Sequence, residues 1–280
     1  MNITFIGGGN MASAMIGGLF AARDPGLAAA AIRVVEIDSS ARKRLSERFG
    51  VSCFEAVGAK ALEDSGVVVL AVKPQQMRSV AAQLGPLLNG QIVLTIAAGI
   101  RLKDLMRWLG TRNCVLVRAM PNTPALVGAG VTGLAFYGFP PRQVLTAQER
   151  QSIEAIMGAV GSVLWVRGEE DMDAVTAVSG SGPAYVFYFI EALEQAAIEL
   201  GLPPETAHRL ALETFSGAAR LALASADPVA TLRDRVTSRG GTTERALKSM
   251  ETDRVKEAIM RAVRAAAERS RELGEELGRD

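Results

Sequence analysis

Ile3-Thr4-Phe5-Ile6-Gly7-Gly8-Gly9-Asn10-Met11-Ala12 decides the fold. A short β-rich run enters three glycines, and an amphipathic helix leaves them, with Met11, Met15, Ile16, Leu19 and Phe20 on one side of Met11–Phe20. Read as G-x-G-x-x-A, Gly7 makes the tight turn and Gly9 lets backbone approach a pyrophosphate. Ala12 then permits close helix–strand packing. The free N–H groups of the helix start, around Asn10 and Met11, would meet the phosphates. A second strand, Ile32–Val35, ends in the acidic Glu36. The separation, 36 − 9 = 27 residues, exceeds the usual spacing of about 20 but keeps the carboxylate at a strand end, where a ribose hydroxyl is read. Dinucleotide binding through Gly7, Gly8, Gly9, Asn10, Met11 and Glu36 is the expectation.

Outward from that stretch, strands are expected at Val67–Val72, Ile92–Ile96 and Val115–Val117, with others around Val131–Phe136 and Val163–Val166. The first three are apolar nearly throughout, as in parallel sheets buried on both faces. Helical patterns lie between them, so the class is α/β: a Rossmann-like, doubly wound N-terminal domain. After Arg167-Gly168-Glu169-Glu170-Asp171 everything reads as helix. Val186, Phe189, Ile190, Leu193, Ala197 and Leu200 recur at threes and fours; Gly201 stops that helix and Pro203-Pro204 opens the next. Asp227-Pro228 reads as an N-cap with a first-turn proline, and a last helix runs from about Asp253. The expected domains are 1–168, which binds dinucleotide, and 169–280, all-α.

The bulk composition excludes several classes. Lys and Arg number 31 against 30 Asp and Glu, a net charge of +1, which leaves no electrostatic footprint for nucleic acid or an anionic membrane. Apolar residues are 49% of the 280, yet no run approaches the ~18 needed to span a bilayer. Met1-Asn2 leads into a strand without a basic segment, so no signal peptide is expected. Cys53 and Cys114 lack C-x-x-C spacing and read as small buried hydrophobes in a reducing compartment, so a cytoplasmic location is expected. The one histidine, His208, lies at the shoulder of a helix stripe. With no His–Cys cluster, no metal is expected.

Ligands of open α/β sheets lie beyond the carboxyl ends of the strands. Ala71-Val72-Lys73-Pro74 and Ile96-Ala97-Ala98 are therefore expected to line the cofactor. Lys73 reads equally as a functional cation or as a solvated strand-end lysine. Met120-Pro121-Asn122-Thr123-Pro124 is a stiff loop able to present Asn122, or an ordinary turn. Ser179-Gly180-Ser181-Gly182-Pro183 interrupts a helical pattern, with Ser181 as a possible N-cap. In Val236–Glu244, Gly240 and Gly241 bare the backbone before a helix start. Its N–H groups around Thr242 and Thr243 suit a carboxylate; a plain linker is the alternative.

Taken in order, GGGNMA, AVKPQ, MPNTPA, AVSGSGPAYVF and VTSRGGTTE resemble the pyrroline-5-carboxylate reductase family over most of the chain. The resemblance implies a Rossmann domain, a helical domain intertwined with its twin, and homodimers that commonly form decamers as pentamers of dimers. It also implies the last step of proline synthesis: hydride transfer from NADPH or NADH to the imine carbon of a small cyclic imino acid. By the same resemblance, Ser238, Gly240, Gly241, Thr242 and Thr243 bind the substrate carboxylate, while Gly7, Gly9, Asn10, Met11, Ala71–Pro74 and Ile96–Ala98 bind cofactor. Thr243 is the expected hydroxyl on the ring nitrogen, Ser238 holds the carboxylate, and both are the expected catalytic residues.

One departure bears on the cofactor. Members that favour the phosphorylated dinucleotide often carry Asn, Ser or Thr where Glu36 stands, with Arg close by; here use of NADH is expected, and Arg42 and Lys43 are the candidate offsetting cations. Two rivals differ in kind. A hydroxyacid-dehydrogenase-like reductase would look for a lysine in the long helix after Pro183, which has none. A non-catalytic NAD(P)-sensing scaffold would show no substrate-dependent oxidation. Tyr185, Phe187 and Tyr188, flanking the stripe of Val186 and Phe189, imply more than one partner surface and hence a dimer.

Overall fold

The computed structural model describes residues 2–22, 31–111, 113–138 and 144–279. In chain order the first elements are β1 (Ile3–Ile6), α1 (Asn10–Ala21), β2 (Ile32–Val35), α2 (Ser39–Phe49), β3 (Ser52–Phe54), α3 (Ala59–Leu62), β4 (Val67–Leu70), α4 (Met77–Leu84), β5 (Ile92–Thr95), α5 (Leu102–Leu109), β6 (Val115–Met120), β7 (Gly130–Tyr137), α6 (Ala147–Gly158) and β8 (Gly161–Trp165). Among the described residues these strands form one sheet in the order β3-β2-β1-β4-β5-β6-β7-β8. The reversal between β1 and β4 is the crevice where such folds bind ligands.

The strands β1, β4 and β5 are buried along their whole length, which is why they read as unbroken apolar runs. Successive side chains feed opposite faces of the sheet. Ile3 and Phe5 join a cluster with Met15 and Ile16 of α1; Ile6 joins another with Met77 of α4 and Leu105 of α5. The fully buried Thr4 is polar but satisfied: its hydroxyl reaches the Ala61 carbonyl at 2.8 Å and Ser65 Oγ at 2.5 Å.

The strand limits depart from expectation for physical reasons. β4 stops at Leu70, two residues early, as the chain turns toward Pro74, which has no N–H to continue a ladder. β6 runs to Met120 because the antiparallel β7 pairs along it, from Leu116 with Tyr137 to Met120 with Gly133; the sheet is mixed rather than wholly parallel. β3 was not foreseen. It is short, at the edge, and begins with an exposed serine, so it lacks a buried strand's signature.

The helical part comprises α7 (Met172–Val175), α8 (Gly182–Glu199), α9 (Pro204–Ala224), α10 (Val229–Arg235), α11 (Thr242–Thr252) and α12 (Val255–Gly278). Ser179-Gly180-Ser181 does not break the helical path. Residues Thr176–Gly180 form one wide π-type turn, with Ser181 N–H donating to the Thr176 carbonyl at 2.8 Å. Ser181 has helical backbone angles, so it is not an N-cap, which needs extended ones. Asp227 likewise caps nothing: Pro228 is the cap of α10, and Asp227 pairs with Arg235.

Compactness divides the chain into Met1–Ser181 with Ala266–Asp280, and Gly182–Ala265. The expected division at residue 168 falls elsewhere. Residues 169–181 belong with the sheet, and the end of α12 does too: Ser270 donates to Asp173 at 2.6 Å, and Arg107 donates to the Gly278 carbonyl at 2.6 Å. In the second unit only Ile190, Ala207 and Ala211 are buried. Phe187, Tyr188, Leu210, Leu221 and Leu223 stand 52–89% exposed.

Candidate active site

Gly7 sits at φ +101°, a conformation L side chains avoid. A Cβ there would lie 2.6 Å from the Ala71 carbonyl oxygen. The turn is thereby pressed against the end of β4. Gly9 differs: a Cβ would meet nothing within 4 Å. It is the residue before α1, and no side chain caps that helix, so its first N–H groups face open space. Glu36 ties this turn to β2. Its carboxylate accepts from Gly8 N–H at 2.8 Å and from Asp38 N–H at 2.9 Å.

Two clefts meet at Gly9, Glu36 and Asp38. The larger, about 650 Å³, is lined by Gly7, Val35, Glu36, Ala71, Val72 and Lys73, with Gln75, Gln76 and Ser79 beyond. The smaller, about 550 Å³, is lined by Gly8, Gly9, Asn10, Asp38, Ser40 and Arg44. Asp38 caps α2 by accepting from Ala41 N–H at 2.7 Å and from the Ser40 hydroxyl at 2.5 Å. Those bonds, the Ser40 one foremost, hold its carboxyl below the usual carboxylate range.

Within the second unit, the loop before α11 has a distinct economy of hydrogen bonds. Gly240 sits at φ +73° and its N–H donates to Glu244 Oε2 at 2.7 Å. Gly241 is the residue before α11 and offers no side-chain cap. A Cβ on Gly241 would lie 2.5 Å from Ser238 Oγ. The neighbouring Thr237 hydroxyl is taken up locally, donating to the Arg233 carbonyl at 2.7 Å. Those of Ser238, Thr242 and Thr243 make no hydrogen bond among the described residues. Three hydroxyls and an uncapped helix start thus remain available to an anion or a polar ring.

In the sheet unit, Asn122 is buried. Its amide oxygen accepts from Val131 N–H at 2.9 Å, and Nδ2 donates to the Ser179 carbonyl at 3.1 Å. It staples the Met120–Pro124 loop to β7 and to the π-type turn.

A family model described as pyrroline-5-carboxylate reductase dimerisation matches residues 169–273. One described as NADP oxidoreductase, coenzyme F420-dependent, matches residues 2–99. The pyrroline-5-carboxylate reductase of Pseudomonas aeruginosa is 46% identical over 277 residues, covering 99% of this chain and 98% of the relative. This chain belongs to the pyrroline-5-carboxylate reductase family. Among solved structures, a pyrroline-5-carboxylate reductase from Coxiella burnetii superposes with a TM-score of 0.89 at 40% identity, covering 97% of this chain and 98% of that one. A pyrroline carboxylate reductase from Plasmodium falciparum with NADP bound gives 0.83 at 29% identity, covering 98% of each.

For this member of the pyrroline-5-carboxylate reductase family, the structure brings Gly7–Asn10, Glu36 and Ala71–Lys73 to the two clefts. Met11 instead packs on the core, and Ala97 is buried with its N–H turned to Thr95 Oγ1 at 3.3 Å. Pro74, Ile96 and Ala98 do not line these clefts either. Arg42 does not face them. Its guanidinium donates to the carbonyls of Glu36 and Ile37 at 2.7 and 2.8 Å, and Lys43 pairs with Glu47 at 3.8 Å. Arg44 and Arg48 line the smaller cleft instead. Sequence reading missed Asp38, Ser40 and Arg44. The signal was there: Asp38-Ser39-Ser40 directly after Glu36 is an N-cap pattern that turns α2 over the crevice.

Proposed function

We propose that this chain is an NAD(P)H-dependent oxidoreductase acting on a C=N bond, reducing 1-pyrroline-5-carboxylate to L-proline in the last step of proline biosynthesis. The observation that carries the reading is a pair of glycine-led, uncapped helix starts, at Gly9–Asn10 and Gly241–Thr242. The first suits a pyrophosphate and the second a substrate carboxylate. The glycine turn fits a dinucleotide, because Gly9 leaves room where backbone must approach phosphate, and Glu36 presents acceptors at the β2 end.

When bound, the reduced nicotinamide supplies a hydride to the imine carbon. The imine nitrogen arrives already protonated, so the chain need not provide a strong acid. Its work is positioning. Ser238 and the N–H groups at Thr242 and Thr243 hold the carboxylate, while the Thr243 hydroxyl accepts from the ring N–H and fixes the face presented to the hydride. Gly240 and Gly241 keep the loop bare. Asn122 shapes the loop after β6 and retains one N–H for substrate.

The same reading makes the protein a cytoplasmic homodimer, assembling as far as a decamer. The apolar, exposed faces of α8 and α9 support this, because a unit with three buried residues does not carry its own core. The dimerisation match over 169–273 and the lack of any helix, among the described residues, long and apolar enough to cross a membrane agree with it. The test is oxidation of NADH or NADPH by the purified protein on adding 1-pyrroline-5-carboxylate, with proline identified by mass spectrometry. Oxidation without proline, or none with either dinucleotide, refutes the activity.

A further inference from the structure

The end of β2 decides which dinucleotide this enzyme takes, and it does so with two carboxylates. We propose that Glu36 and Asp38 together make the site prefer NADH over NADPH. The inference rests on the assignment of a nicotinamide dinucleotide to the β1–α1 crevice.

The argument starts from where the charges are. Glu36 is anchored at both oxygens, to Gly8 N–H and Asp38 N–H, so it cannot swing away from the glycine turn. Asp38 is fixed as the cap of α2, and both residues line both clefts. A ribose with a free 2′-hydroxyl donates to such a carboxylate, whereas a 2′-phosphate brings two more negative charges beside two already held in place. Cations could cancel this, but the first to follow Glu36 in sequence is occupied elsewhere. Arg42 spends its guanidinium on the Glu36 and Ile37 carbonyls, with Glu55 at 3.8 Å. The helix start that could take a phosphate is also filled, because Asp38 itself caps it. What remains is Lys73 in the larger cleft, Arg44, which donates to Ser40 Oγ at 3.1 Å, and Arg48, stacked over the Phe49 ring at 4.8 Å. The two arginines line the smaller cleft, and the three cations reduce the repulsion without removing it, so the outcome is preference, not exclusion.

The test reads binding in the absence of substrate. NADH and NADPH are titrated against the full-length protein by dinucleotide fluorescence at low and high salt, alongside Glu36→Gln and Asp38→Asn. The expected result is a Kd for NADH at least ~10-fold below that for NADPH at low salt, narrowing as salt screens the carboxylates. Glu36→Gln should bring the two within roughly 3-fold, chiefly by tightening NADPH, and Asp38→Asn should narrow the gap by less. Equal or tighter binding of NADPH by the wild type overturns the inference, as does a ratio that Glu36→Gln leaves unchanged. The wild-type ratio and its salt dependence decide the matter even if a variant does not fold. Binding of neither dinucleotide would instead sink the cofactor assignment, and the inference with it.

Discussion

Replacing Gly7 and Gly9 separately by alanine should split folding from cofactor binding, although the two stand two residues apart in one turn. At Gly7 the new Cβ lies 2.6 Å from the Ala71 carbonyl oxygen, where ordinary contact begins at 3.4 Å, so backbone must move by 3.4 − 2.6 = 0.8 Å. Overpacking of this kind costs about 1–3 kcal/mol. The positive φ adds about 1–2 kcal/mol for an L residue. Together that is about 2–5 kcal/mol, or a fall of roughly 4–20 °C in Tm for a domain of this size. At Gly9 nothing lies within 4 Å of the Cβ and φ is −69°, so alanine fits. Its cost is that of a poorer N-cap, about 0.5 kcal/mol, within roughly 2 °C. The methyl group would nonetheless stand where pyrophosphate must approach, and Kd for NADH should rise at least ~5-fold. Thermal melts and fluorescence titration of both variants test this. A Gly9→Ala protein that binds NADH like the wild type, or melts as low as Gly7→Ala, would refute the division of labour between the two glycines.

Thr243→Ala should lower kcat/KM by roughly 3- to 100-fold, because it removes one hydrogen bond worth about 0.5–1.5 kcal/mol, more if it aligns a charged ring. Thr243→Ser should lose less, and unaltered steady-state kinetics in the alanine variant would leave the loop a carboxylate cradle only. Asn122→Ala orphans the Val131 N–H and the Ser179 carbonyl, so chemical denaturation should report a loss of about 2–4 kcal/mol; a loss under ~0.5 kcal/mol would mean the staple is idle. Tyr188→Glu, at a site 71% exposed in the single chain, should shift sedimentation from dimer or larger toward monomer, and an unchanged profile would place the interface elsewhere. Burial pushes the Cys114 thiol up to about 11. Its contribution to stability is therefore complete below the unfolded value of 9.0 and is lost as pH rises through about 11; alkylation of native Cys114 at pH 8 should be negligible, and rapid labelling would contradict its burial.

Much of the fold was legible because burial on both faces leaves a plain signature. Ile3–Ile6 and Ile32–Val35 came out residue for residue, being mostly apolar runs, the first followed by three glycines and the second by the acidic Glu36. What a linear pattern does not carry is partnership. β6 extends to Met120 only because β7 lies antiparallel beside it, and nothing between Val117 and Met120 announces a neighbour running the other way. Ser179–Pro183 reads as a break in the helical pattern, since Ser-Gly-Ser-Gly-Pro is the vocabulary of loops. A π-type turn instead absorbs the extra residue by wider hydrogen bonding, and its register is held by Asn122, 57 residues away.

The site follows the same rule, with a different consequence for chemistry. Residue type and position sufficed to locate the uncapped helix starts after Gly9 and Gly241, because backbone N–H groups are exposed there whatever the neighbouring side chains do. The charges around Glu36 were harder, because the effect of a cation depends on what already holds it. Arg42 is the first cation to follow Glu36 in sequence, yet its donors go to two carbonyls, while the more distant Arg44 lines the cleft. An arginine near an acid in sequence is therefore no evidence of a phosphate site until its hydrogen bonds are accounted for. Here that accounting leaves two fixed carboxylates, Glu36 and Asp38, lining both clefts, and the proposed cofactor choice follows from that turn of three residues.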